Sequence, residues 1–346
     1  MLLPEDTISQ QNAEIEQQSR RRHVFLFTHP RTASNLLCRL LSDQPNWMQA
    51  EYHFRNAFTF ARKSFNWGPV IDIDEEQRVT FANLLQDGYN ELQQFRDATR
   101  LQGKHCFVKS HLLHIWEPSI LSQSIWGGES GPSFPALSPR RAGSMAKRTN
   151  PTIFTDDFLS AWLPVFLIRH PALVFESWYR AESSAGPVDI FDKSLAFFTT
   201  FTYIRQLYEW FEANACNEAN EAGESENDAQ DQPYIGPIVI DADDIMEKRS
   251  INRLCEICGM DAQSIRYTWE KTTPADAKLA SRRRLSYMGG FWSSTSIDKS
   301  KSSRGLDLSE KRSQWKEEFG DGVANRLYDL VQNAMADYTY LRDRKI

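Results

Sequence analysis

Three short apolar runs in this 346-residue chain each lead into a basic residue: Arg31 after 24–27, Lys109 after 105–108 and Arg169 after 162–168. In open α/β sheets ligands collect outside the carboxyl ends of the strands, so cations at three corresponding positions point to a polyanionic ligand. Arginine suits that task because its planar fork binds phosphate or sulfate bidentately. Thr32, Ala33, Ser34 and Asn35 follow Arg31 where an apolar helical pattern restarts, and a helix N-terminus presents free N–H groups that favour anions. Ser177 lies eight residues after Arg169 and offers a hydroxyl. His111, two residues after Lys109, titrates near neutrality and suits removal of a proton from an acceptor hydroxyl. His114 and His29 are the other imidazoles near these motifs.

The elements that must hold these residues follow from periodicity. His23–Leu41, HVFLFTHPRTASNLLCRLL, reads as strand, tight loop and helix: Pro30 ends the strand because it cannot donate to a ladder, and Leu36, Leu37, Leu40 and Leu41 recur at helical spacing. Further strands are predicted at 105–108, 162–168 and 235–241, and helices at 81–101, 171–179, 189–211, 243–258 and 309–330. Gly259 sits where the helix over 243–258 should end in a left-handed turn. Strands alternating with helices imply an α/β fold with a mainly parallel central sheet flanked by helices. The stretch 47–68 is rich in aromatics, suited to core packing or to the wall of an apolar pocket. Residues 1–20 read as a polar arm and 21–346 as one domain with flexible insertions near 127–151, rich in Gly, Ser, Pro, Arg and Lys, and near 213–232, acidic and poor in large apolar groups. The first has the length of a lid.

Composition excludes several classes. The formal net charge is −6, so the surface does not advertise nucleic acid. No run approaches the ~18 apolar residues of a membrane span, and the polar N-terminus has no signal-peptide core. Five cysteines, an odd number, fit reduced thiols in a cytoplasmic setting, and the single CxxC at Cys255 and Cys258 reads as helix packing. No Walker A loop occurs; the Gly103-Lys104 pair has Ala98 where its first glycine should be.

Taken together the motifs resemble those of sulfotransferases that use 3′-phosphoadenosine 5′-phosphosulfate (PAPS), a P-loop-like α/β family. THPRTASNLLCRLL is similar to the loop that holds the 5′-phosphosulfate, with Arg31 where lysine is commoner, Ala33 in place of glycine, and Ser34-Asn35 in place of a threonine pair. FLIRHPALVFESWYR resembles the 3′-phosphate signature RxPxxxxxSxY, with Arg169 and Ser177 in register. FVKSHL is similar to the segment that supplies the catalytic histidine, 239–261 resembles the family's strand–helix unit, and KSSRG is similar to a closing R-K-G loop without its lysine.

The resemblance implies sulfuryl transfer from PAPS, which becomes 3′-phosphoadenosine 5′-phosphate (PAP), to a hydroxyl of a small organic molecule, with no metal. Arg31, Thr32, Ala33, Ser34 and Asn35 would hold the phosphosulfate. Arg169, Ser177 and Arg304 would hold the 3′-phosphate. His111 would be the base, and Lys109 would assist the leaving oxygen. The residues also leave open a small-molecule kinase, an enzyme for a diphosphate-bearing substrate, and a silent nucleotide-binding protein. No motif encodes the acceptor or the oligomeric state.

Overall fold

The computed structural model describes residues 23–129, 131–138, 147–221, 236–271 and 280–346, with backbone alone at 216–221. Its centre is a five-stranded, all-parallel sheet: β1 (Val24–Thr28), β2 (Trp47–Glu51), β3 (His105–His111), β4 (Leu163–Ile168) and β5 (Ile238–Asp241), in the order β2-β3-β1-β4-β5. Every residue of β1, β4 and β5 is buried, as expected of strands covered on both faces.

Alternation along the strands builds two cores. Phe25, Phe27, Val108 and Phe166 point to one face, where α2 (Arg55–Ser64), α3 (Glu75–Leu101), α4 (Pro118–Trp126), α6 (Pro171–Ala185) and α7 (Thr202–Glu221) add Ala57, Leu85, Leu121, Trp178 and Leu207. The carboxy-terminal helices α10 (Leu308–Phe319) and α11 (Asp321–Arg342) join the same face through Trp315 and Tyr338. Val24, Leu26, Phe107, Val165 and Leu167 point to the other face, under α1 (Ser34–Leu40) and α8 (Lys248–Cys258). The short α5 (Asp156–Ser160) adds Phe158 and Leu159 to the first core, and α9 (Arg282–Ser293) packs Tyr287 against it.

Local signals set the ends. Asp74 and Gln77 form a reciprocal capping box at the start of α3. Gly259 closes α8 with φ 69°, and Cys255 and Cys258 are buried in the second core. Gly88 lets α3 press on the turn before α2; a Cβ there would lie 2.8 Å from the His53 carbonyl oxygen.

The observed elements differ from the predicted ones at several places; β3 runs on through Lys109, Ser110 and His111 rather than ending before them, and α4 and α5 fall in stretches with no predicted element. The stretch 47–68 carries a strand and a helix, β2 and α2. The helix expected over 189–211 is broken into a 3-10 turn at Lys193–Phe198 and α7, because Asp192 caps Ser194 N–H and Thr200 caps Thr202 N–H. The last helical stretch is two helices, α10 and α11, turned at Gly320 with φ 87°. The polar 276–304 region contains α9. Within 127–151, Phe134 and Leu137 are buried in the core, while 130 and 139–146 lie outside the described residues, as do 1–22. Helix α7 runs into the acidic stretch as far as Glu221, and 222–235 lies outside the described residues.

Candidate active site

From β1 the chain continues to β2 and β3 on one side; from β4 it continues to β5 on the other. The loops after β1 and β4 therefore flank a topological switch point, the place where such sheets bind ligands. Arg31 stands on the first loop and Arg169 on the second. Arg169 Nη1 donates to the Arg31 carbonyl at 3.1 Å, and its Nη2 donates to the Lys301 carbonyl at 3.1 Å. Arg31 Nε donates to Ser177 Oγ at 2.9 Å and Nη1 to the Tyr287 carbonyl at 2.9 Å. Burial pushes both guanidinium pKa values down, and in Arg169 the neighbouring Arg31 charge adds to the effect.

The loop itself is tightly turned. Arg31 and Ala33 both adopt left-handed backbone, at φ 72° and 66°. Ala33 is the N-cap of α1, its carbonyl accepts the N–H groups of Leu36 and Leu37, and no side chain caps the helix. Thr32 is buried and donates to the His29 carbonyl at 2.8 Å; Ser34 is buried beside it. Asn35 Nδ2 donates to Met288 Sδ at 3.3 Å, and Asn35 Oδ1 accepts from Lys109 Nζ at 2.5 Å.

Lys109 is fully buried and also forms an ion pair with Glu51 at the end of β2. Burial opposes its charge, but Cys38, Tyr52 and Glu51 outweigh burial and raise its pKa above the ordinary value. His111 ends β3. Its Nδ1 lies 2.6 Å from Thr28 Oγ1 and its Nε2 3.0 Å from Tyr52 Oη. Burial holds its pKa well below 6.5, and the charges of Lys109 and Arg55 reinforce this, so the imidazole is neutral. His114 packs its ring 5.4 Å from that of His111 and 4.3 Å from Phe58, and burial lowers its pKa to about 3. His114, Phe58, Phe65, Trp67, Leu113 and Phe197 are among the residues lining a narrow, largely apolar cleft.

The structure thus brings Arg31, Thr32, Ala33, Ser34, Asn35, Lys109, His111, Arg169 and Ser177 to the carboxyl edge of β1, β3 and β4. Arg304 differs: it is exposed and its guanidinium pairs with Glu247. The residues that sequence reasoning passed over are Tyr52, Glu51 and α9. Tyr52 follows β2 at the same sheet edge as Lys109, and the sequence marks it only as one of the aromatics of 47–68. Helix α9 lies on the loop through Tyr287 and Met288 and is tied to α6 by buried Glu182, which accepts from Tyr287 Oη at 2.5 Å and pairs with Arg283 and Arg62. Among the described residues no group of three or more His, Cys, Asp or Glu side chains is placed to hold a metal ion, and no helix is long and apolar enough to cross a membrane.

The five-stranded parallel sheet flanked by helices is an α/β fold consistent with a sulfotransferase-like, P-loop-like architecture. The chain is 34% identical to sulfotransferase ppzF of Metarhizium majus (strain ARSEF 297) over 343 residues, covering 94% of this chain and 96% of that protein. It is 33% identical to sulfotransferase ppzF of Metarhizium rileyi (strain RCEF 4871) over 338 residues, covering 93% and 95%. The chain belongs to the sulfotransferase family. No protein-family model and no solved structure matches it significantly.

Proposed function

We propose that the chain transfers the sulfuryl group of PAPS to a hydroxyl of a small organic molecule, in a cytoplasmic setting. One observation carries the reading. The Arg169 guanidinium reaches the Arg31 main-chain carbonyl across the switch point, the Arg31 charge is felt at Arg169, and among the described residues neither arginine forms an ion pair with a carboxylate. Paired positive charge half-withdrawn from water is costly and is relieved by a bound polyanion.

In this reading Arg31 and the 32–35 loop hold the phosphosulfate, and Arg169 with Ser177 holds the 3′-phosphate. Arg304 can contribute only by leaving Glu247. As charge develops on the bridging oxygen of the leaving phosphate, Lys109 stabilises it electrostatically. The neutral His111 takes up the proton of the acceptor hydroxyl. The cleft beside His114 and Phe58 receives the acceptor's apolar body.

Calorimetry with PAP and AMP tests the assignment. Charge-assisted contacts to the 3′-phosphate should make PAP bind roughly 30- to 1000-fold more tightly than AMP. Equal affinities would overturn it.

A further inference from the structure

Tyr52 occupies an unusual position. It follows β2 directly, its N–H donates to the Lys109 carbonyl at 3.0 Å, and its backbone is left-handed at φ 59°. For an aromatic residue that conformation is strained, and such strain persists where surrounding contacts enforce it. The contacts here are specific. The Tyr52 ring centroid lies 4.5 Å from Lys109 Nζ and 5.2 Å from the Arg55 guanidinium, and 4.9 Å from the His111 ring. The hydroxyl meets His111 Nε2, the ring nitrogen opposite the one that faces Thr28.

One tautomer fits every contact. With the Thr28 hydroxyl donating to the Ser110 carbonyl at 3.2 Å, Nδ1–H of His111 donates to Thr28 Oγ1 in the 2.6 Å contact. Nε2 then keeps its lone pair, and Tyr52 donates to it. The atom that should act as base is already occupied by a phenol whose oxygen also takes a hydrogen bond from Lys109 and keeps one lone pair for an acceptor hydroxyl.

We propose that Tyr52 is a catalytic residue that relays the acceptor's proton to His111. This rests on the sulfuryl-transfer reading above. The acceptor O–H bond breaks and its electron pair forms the new O–S bond. The released proton goes to Tyr52 Oη as the Tyr52 proton moves to His111 Nε2. The S–O bond to the donor phosphate breaks, its electron pair staying on the phosphate oxygen. The resulting imidazolium keeps its Nδ1–H on Thr28 and returns the extra proton to water afterwards.

The test compares wild type with Tyr52→Phe, which keeps the ring and its cation contacts but lacks the hydroxyl. With PAPS and 2-naphthol as probe acceptor, kcat should fall about 10- to 100-fold, while KM for PAPS changes less than about twofold. Rates in mixtures of H₂O and D₂O should show two protons in flight in wild type and one in the variant. Nitrogen-15 NMR of the unliganded protein should show His111 as the Nδ1–H tautomer. Normal or faster turnover in Tyr52→Phe would overturn the relay. Slower turnover with an unchanged proton count, or an Nε2–H tautomer, would overturn it and leave Tyr52 a packing residue. If wild type neither binds PAP nor sulfates any probe, the sulfuryl-transfer reading falls and takes the relay with it; an active wild type with an indifferent variant removes the relay alone.

Discussion

Arg31 Nε donates to Ser177 Oγ at 2.9 Å, joining the loop after β1 to the middle of α6. The two residues stand 146 positions apart, and each belongs to a different proposed phosphate subsite. Ser177→Ala leaves Arg31 without that acceptor, so PAP affinity should fall about 5- to 50-fold, and Arg31→Ala should cost more. The double variant should lose less than the sum, with a coupling of about 0.5–3 kcal/mol by calorimetry. Additive losses would mean that the two subsites act independently.

Removal of the base should separate binding from chemistry. His111→Ala should leave PAP affinity nearly unchanged and lower turnover about 10²- to 10⁴-fold, read by single-turnover kinetics. Unimpaired turnover would move the base elsewhere, with His114 the next imidazole along.

Acid should weaken the fold through buried imidazoles. Burial lowers the His29 pKa to about 4; the ring stacks on Phe201, and its Nδ1 lies 2.8 Å from the Pro30 carbonyl oxygen. A depressed folded-state pKa means that its contribution is present above the unfolded value of 6.5 and is lost as pH falls towards 4. The loss from this residue should be about 3 kcal/mol. Denaturant titrations at pH 7 and 4.5 should therefore show a smaller difference in His29→Asn than in wild type.

The left-handed Ala33 invites a conformational test. A left-handed alanine costs about 1–2 kcal/mol, part of which glycine returns as unfolded-state entropy. Ala33→Gly should hold or raise stability by up to about 1 kcal/mol, whereas Ala33→Val should lower it by more than about 1 kcal/mol. Thermal unfolding reads both.

The parts of the site that were legible in the sequence are those whose chemistry is local. Arg31 follows a continuous apolar strand, and Ser177 sits two turns into the helix that begins just after Arg169, so spacing alone relates them. Tyr52 was harder. Its strand, β2, is an edge strand of five residues with buried and half-exposed positions mixed, and no apolar run announces it. Helix α9 was hidden for a different reason. RRRLSYMGGFWS has two adjacent glycines and no fully buried residue, so local propensity argues against a helix. What holds it is tertiary: Ser281 caps Arg284 N–H, and Glu182, about a hundred residues earlier in sequence, grips Arg283 and Tyr287.

Helix α9 anchors Arg31 twice at Tyr287: the main-chain oxygen accepts from Nη1, and the ring centroid lies 5.2 Å from the guanidinium. A carbonyl is present whatever amino acid is encoded there, so point mutation at that codon cannot delete the acceptor. The hydrogen bond to Arg31 therefore survives substitution at 287, whereas the orientation of Arg31 is exposed to drift at Glu182 and at its α9 partners Arg283 and Tyr287, whose loss would let the whole helix shift. Selection on this part of the site should fall more heavily on the tether than on the contact.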